Sequence, residues 1–138
     1  MPKPEGVWVV AACFNEQDVI TRFIDRVLPV PGVEQLVLID DGSSDATVDR
    51  IREWMRAWPG SSVTLLELTR NFGKEAAMLA GLDHVNGRCR AAVLIDSDLQ
   101  HPPELIEQMV REWQAGAEVV TAVRDDRDQE SRLKVASA

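Results

Sequence analysis

The sequence predicts an α/β domain built on a mostly parallel sheet with helices on both faces. Apolar runs of strand length alternate with segments whose apolar residues recur at helical spacing. The strand runs are apolar throughout, as in strands buried on both sides, whereas half-exposed strands alternate. Polar clusters follow the first four strand runs, and ligands of parallel sheets bind beyond the carboxyl ends of the strands.

Val7-Trp8-Val9-Val10-Ala11-Ala12 is the first strand. Val19, Ile20, Phe23, Ile24 and Val27 mark the first helix, ended by Pro29, Pro31 and Gly32. Leu36-Val37-Leu38-Ile39 is the second strand. Val48, Ile51, Met55 and Trp58 mark the second helix, stopped by Pro59-Gly60. The third strand runs from Val63 to Leu68. Glu75 to Val85 is a helix whose Ala76, Ala77, Ala80 and Gly81 permit close packing. Ala91 to Ile95 is the fourth strand, buried by its composition. Pro102-Pro103 opens a helix carrying Leu105, Ile106, Met109, Val110 and Trp113, and Glu118 to Val123 is a fifth strand. Trp54, Trp58 and Trp113 fall at helical core spacing and are expected in the core. After Val123 the pattern gives way to a mixed-charge stretch, Arg124 to Arg132, with no further element expected. Residues 1–123 thus form one unit and 124–138 a charged segment.

With 138 residues, 45% hydrophobic and 28% charged, the chain can bury a single core. A net charge of -8 argues against a nucleic-acid surface, which needs a basic patch. Backbone N–H groups and a metal can still hold phosphates on an acidic protein. Cys13 and Cys89 are far apart and lack metal-ligand spacing. Cys13, within an apolar strand, is expected to be a buried thiol, and a reducing cytosolic setting fits. No signal peptide is visible. The longest apolar run, Val7 to Phe14, is too short to span a bilayer, so the chain as given is expected to be soluble.

Asp96-Ser97-Asp98 is the strongest chemical signal. Two carboxylates one residue apart at a strand end project to the same side if the backbone stays extended. Unpaired, they repel, and a hard divalent cation would relieve this while sharing its other coordination sites with phosphate oxygens. Such acids can instead cap a helix, but the residues just before Pro102-Pro103 take that role more naturally. In Asp40-Asp41-Gly42-Ser43-Ser44-Asp45, Gly42 supplies a turn conformation and Asp45 an N-cap for the helix at Ala46. Asp40 and Asp41 are surplus to capping and could accept hydrogen bonds from a ribose or a base. Asn15, before Glu16 and Asp18, reads as an N-cap with an acidic first turn. Phe14 could stack on a nucleobase or plug the core. Lys74, in Asn71-Phe72-Gly73-Lys74, could steady a diphosphate as a point charge or simply be solvated. His84 reads as a packed or surface residue and His101 as a loop residue.

In order, Ala12-Cys13-Phe14-Asn15-Glu16, Asp40 to Asp45, Arg70-Asn71-Phe72-Gly73-Lys74, and Asp96-Ser97-Asp98-Leu99-Gln100-His101-Pro102-Pro103-Glu104 resemble the motifs of family 2 glycosyltransferases. The resemblance runs from Val7 to about Arg127. The last two motifs are the more specific, and are similar to the branch that transfers sugars to polyprenyl phosphates, including dolichol-phosphate mannose synthases and bactoprenol glucosyltransferases. The resemblance implies the Rossmann-like, nucleotide-binding half of the A-type glycosyltransferase fold. It implies that Asp96 and Asp98 bind Mg²⁺ or Mn²⁺ at the donor diphosphate, with Gln100 as a further ligand. By the same resemblance Asp41 contacts the nucleobase, Ala12, Phe14 and Glu16 line the base pocket, and Gly73 and Lys74 border the donor. Alanine at position 12 and phenylalanine at 14 depart from the family's usual proline and tyrosine.

The implied activity is inverting transfer from a UDP- or GDP-linked sugar to a lipid phosphate, with Asp98 and Lys74 in catalytic roles and a UDP-glucose-like donor favoured. The family's acceptor half and membrane helices would lie beyond Ala138. The full-length protein is then expected on the cytoplasmic face of the membrane, and this fragment to bind the donor but turn over poorly. Two other classes compete. A receiver-type Mg²⁺-binding signalling domain is also small and acidic, but needs a phosphorylatable aspartate on another strand near the pair, and the third strand ends in Leu68-Thr69-Arg70. A non-catalytic nucleotide-binding module is the other.

Overall fold

A computed structural model describes residues 6–117 together with the backbone of 119–124 and 131–136. The elements are β1 (Val7–Cys13), α1 (Ile20–Val27), β2 (Val33–Asp40), α2 (Thr47–Ala57), β3 (Val63–Glu67), α3 (Lys74–Val85), β4 (Ala92–Leu94), α4 (Leu105–Gln114), β5 (Val119–Arg124) and β6 (Ser131–Ala136). The first four strands form one parallel sheet in the order β3-β2-β1-β4.

This order follows from two crossovers that step one way and a third that returns. The chain moves outward from β1 to β2 to β3, then α3 carries it back across the sheet to β4 on the far side of β1. The reversal leaves a crevice between the carboxyl ends of β1 and β4, where parallel sheets bind ligands.

Helices cover both faces. Alternate residues of β1 explain how: Val9, Ala11 and Cys13 join the layer formed by Ile20, Phe23, Ile24 and Val27 of α1, Ile51 of α2, and Ile106 and Val110 of α4. Val10 points the other way and packs with Val37, Ile39, Ala77 and Val85 beneath α3. Gly81 lets α3 approach closely, since a Cβ there would stand 2.5 Å from Val10 Cγ1 and 2.6 Å from Ile39 Cδ1. The small residues read from sequence in this helix therefore seat it on the sheet.

Three expectations are corrected. Trp58 is 62% exposed, because α2 ends at Ala57 and the residue sits past the helix beside Pro59, its ring 6.4 Å from Trp54. Trp54 and Trp113 do pack against the core, although only partly buried. The fourth strand is not buried throughout: Ala92 and Leu94 are exposed, because they share the sheet face of Trp8 and Val10, where α3 packs on β1 and β2 and leaves β4 open, while Val93 on the other face is buried. The fifth strand does not join the parallel sheet. It forms an antiparallel hairpin with β6, pairing Val123 with Arg132 and Val119 with Ala136. The alternation Arg132-Leu133-Lys134-Val135 was the sequence signal for β6, hidden by the charges before it. Arg127 lies outside the described residues.

Candidate functional site

Ser97, between the two aspartates, is 3% exposed and donates its hydroxyl to the carbonyl of Ala12 (3.0 Å), tying the end of β4 to the end of β1. Sequence reasoning passed over Ser97, although a small hydroxyl between two candidate ligands is well suited to turn inward. The backbone at Ser97 and Asp98 is a turn and not an extended strand, and Leu99 follows with φ 64°. Asp96 and Asp98 nonetheless reach the same space, brought there by the turn instead of by strand alternation.

That space is a cavity of about 150 Å³ at the β1/β4 crevice. Ala12, Phe14 and Glu16 reach it from the end of β1, Asp41 from the end of β2, Lys74 from the start of α3, and Asp96 and Asp98 from beyond β4. Residues spread over 87 positions of sequence thus meet in one place (12 to 98). Phe14 is 45% exposed, so its ring is not a core plug. Gly73 and Gln100 do not line the cavity. Gly73 precedes α3 with φ 100°, and Gln100 is exposed while its backbone N–H donates to Asp98 Oδ1 (3.0 Å).

The loops that carry these groups are stitched together. Asn15 (φ 52°) does not cap its own helix, which starts at Ile20 behind Val19. Its Oδ1 accepts instead from the N–H groups of Ser44 (2.9 Å) and Asp45 (3.3 Å), and its own N–H donates to Ser43 Oγ. Ser43 in turn donates its hydroxyl and N–H to Asp40 (2.6 and 2.9 Å). Asp40 is 2% exposed, so its carboxylate serves this turn. α2 starts at Thr47 behind Ala46, one residue later than expected, so Asp45 is not its N-cap; it holds the start of the helix from one residue further back, accepting the N–H and hydroxyl of Thr47. Asp41, 3% exposed, accepts from the N–H groups of Phe72 (2.8 Å) and Gly73 (3.1 Å).

Charge in the cavity is mostly negative. Lys74 Nζ forms an ion pair with Asp96 Oδ1. None of the ion pairs that lysine and arginine form among the described residues involves Asp98. Burial, then the neighbouring charges of Asp98 and Asp45, push the Glu16 carboxyl above its ordinary range. Burial, followed by the Asp40 charge, pushes the Cys13 thiol far above the usual thiol range, consistent with an inert buried cysteine. Although four carboxylates line the cavity, no three His, Cys, Asp or Glu side chains among the described residues are placed so that together they could hold a metal ion. A hard cation would therefore have two carboxylates at most from these residues and would complete its shell with ligand oxygens, the mode usual for Mg²⁺ beside phosphates. The donor chemistry fits, and the excess negative charge favours it.

No helix among the described residues is long and apolar enough to cross a membrane.

Comparison with known proteins bears on the family and the fold. The chain is 43% identical over 130 residues to a bactoprenol glucosyl transferase of Shigella phage SfX, covering 91% of this chain and 41% of that protein. It is 38% identical over 125 residues to an undecaprenyl-phosphate 4-deoxy-4-formamido-L-arabinose transferase of Edwardsiella ictaluri, covering 88% and 38%. The chain thus spans about two fifths of the length of these relatives. Among solved structures, a mannosyltransferase of Pyrobaculum calidifontis in complex with GDP-Man and Mn²⁺ superposes with a TM-score of 0.70 at 24% identity, covering 92% of this chain and 37% of that one. S. aureus TarS in complex with UDP gives 0.60 at 16% identity, covering 80% and 32%. Both structural likenesses concern the fold. The model of glycosyl transferase family 2 matches residues 8–137, and the chain belongs to that family.

Proposed function

We propose that this chain is the donor-binding part of a metal-dependent, inverting glycosyltransferase that moves a sugar from a nucleoside diphosphate to a polyprenyl phosphate. One observation carries the reading: Asp96, Asp98, Lys74, Asp41, Glu16 and Phe14 meet in a single cavity at the switch point of the sheet. Membership of the family turns the reading away from a receiver domain. Relatives named for bactoprenol and undecaprenyl-phosphate transfer support the lipid acceptor, and neighbours solved with GDP-Man and UDP support a nucleotide donor.

In this reading Phe14 offers its exposed ring to the base, beside Ala12 and Glu16, with the buried Asp41 also lining the cavity. Asp96 and Asp98 would hold Mg²⁺ or Mn²⁺, which supplies charge neutralisation to the leaving diphosphate. Gln100 contributes by fixing one oxygen of Asp98 through its N–H, and Gly73 by shaping the start of α3. Lys74, paired with Asp96 in this structure, would turn its ammonium toward a diphosphate once a cation takes up Asp96, stabilising charge that grows as the bond to the sugar breaks. A phosphate monoester acceptor, with a second pKa of about 6, is already anionic near neutral pH, so attack needs no strong general base. Acceptor and membrane contacts, at the cytoplasmic face, would fall to sequence that the longer relatives possess.

Calorimetric titration of UDP and of GDP, each with and without Mn²⁺, tests the donor site. We expect one of them to bind in a Mn²⁺-dependent way, and Asp96→Ala with Asp98→Ala to abolish the dependence. No binding of either nucleotide by folded protein overturns the reading.

A further inference from the structure

We propose that Asp41 is a positioning residue for the diphosphate end of the site, acting through the loop before α3, in addition to any contact with the base; this rests on the donor-site reading above. Both carboxylate oxygens of Asp41 accept backbone N–H groups, Oδ1 from Phe72 and Oδ2 from Gly73. Next to it, Gly42 (φ 72°) lies so close to the same loop that a Cβ would stand 2.3 Å from the carbonyl carbon of Arg70 and 2.4 Å from the nitrogen of Asn71. Another backbone bond, Leu68 N–H to Asp40 carbonyl (2.9 Å), fixes the end of β3 beside β2. The end of β2 therefore grips residues 68–73 at three successive points.

That grip sets where α3 begins, and Lys74 is its first residue. Lys74 is the residue that crosses the cavity to Asp96. Its side chain is 62% exposed, so side-chain packing does not hold it in place, and its reach depends on the backbone from which it starts. Gly73, immediately before it, has φ 100° and no atom near its missing side chain. The two hydrogen bonds to Asp41 thus restrain a loop whose own conformation is permissive.

The sign of one substitution separates this role from simple electrostatics. Asp41→Asn removes a negative charge beside an anion site, which by Coulomb's law alone tightens anion binding. It also replaces one acceptor oxygen by an NH₂ group facing a backbone N–H, which opens the grip. Inorganic pyrophosphate with Mn²⁺ is the probe, because it has no base for Asp41 to touch. Expected is a roughly tenfold loss of pyrophosphate affinity in Asp41→Asn, the scale of one charge-assisted hydrogen bond. In a Lys74→Met background the same change should have little further effect. Amide hydrogen exchange at Phe72 and Gly73 should be slow in the wild type and fast in the variant.

Unchanged or tighter pyrophosphate binding by Asp41→Asn, alongside weaker UDP or GDP binding, overturns the proposal and leaves Asp41 to the base alone. Full additivity with Lys74→Met overturns it too. Gly73→Ala gives a second route should Asp41→Asn fail to fold. It strains the loop at a surface position while leaving Asp41 intact, and it too should weaken pyrophosphate; unaltered affinity refutes the proposal. A folded wild type that binds neither pyrophosphate nor nucleotide removes the donor site itself, an outcome distinct from loss of the grip alone.

Discussion

Gly81→Ala tests whether α3 is seated on the sheet by backbone proximity. Two effects oppose each other. Replacing glycine by alanine within a helix contributes about 1 kcal/mol, chiefly by narrowing the unfolded ensemble. Against it, the new Cβ would lie 2.5 Å from Val10 Cγ1 and 2.6 Å from Ile39 Cδ1. Normal carbon–carbon contact is about 3.5–4.0 Å, so the overlap is about 1 Å on each. Val10 and Ile39 are both fully buried, and Val10 is β-branched and stiff at χ1, so neither side chain can simply swing away. Overpacking of this kind costs about 1–3 kcal/mol. The clash wins, leaving Gly81→Ala less stable by ~1 kcal/mol. For a domain of this size that is a fall of roughly 3–6 °C in Tm. Gly81→Val, which adds two more methyls and forfeits the helix gain, should cost more than about 3 kcal/mol. Urea unfolding followed by circular dichroism measures both, with the m value checked for constancy. A Gly81→Ala protein as stable as the wild type, or more so, would refute the reasoning, because α3 would then have room to sit farther from the sheet.

Other outcomes follow from the same structure. Phe14→Ala should weaken the bound nucleotide about tenfold, the scale of one base–aromatic stack, and leave pyrophosphate binding unchanged; equal loss for both ligands would remove the stacking role. Asp45→Ala should lower stability by about 1 kcal/mol in urea unfolding, since its carboxylate holds the start of α2 through Thr47. Burial alone would raise the Asp45 carboxyl, but the hydrogen bonds from Thr47 and Gln17 outweigh it and keep it below the ordinary carboxylate range. A depressed folded-state pKa means that this stability is present above the unfolded value near 3.8 and fades as pH falls through the folded one, so wild type and Asp45→Ala should converge in acid. A difference that persists undiminished below that range would show that the carboxylate's charge is not what holds the helix.

Periodicity was enough to read the alternation of strands and helices, because β1 and β2 are buried on both faces and α1 presents a clean apolar stripe. It failed where burial depends on neighbours distant in sequence. Leu94 reads as core, yet α3 packs on β1 and β2 and leaves that face of β4 open, which only the packing of the folded chain reveals. The same limit hid the antiparallel pairing of β5 with β6. Within the site, the candidates were legible as polar residues following strands. Their division of labour was not: Asp40 and Asp41 are adjacent and identical in type, but one serves Ser43 and the other the loop at Phe72. Asn15 reads as a local cap because sequence shows only its own helix, whereas its partners lie 29 and 30 residues away. Ser97 was overlooked for a similar reason, its acceptor being the carbonyl of Ala12.

The central claim, that the cavity between the ends of β1 and β4 holds a metal–diphosphate, is open to direct measurement by paramagnetic relaxation. Mn²⁺ titrated into isotope-labelled protein with UDP or GDP broadens amide signals close to the ion. The account predicts that the signals of residues 12–16 and 96–98 vanish first, while those of β3 and the C-terminal end of α2 persist. Broadening that begins elsewhere, or that leaves Asp96 to Asp98 sharp, would contradict it.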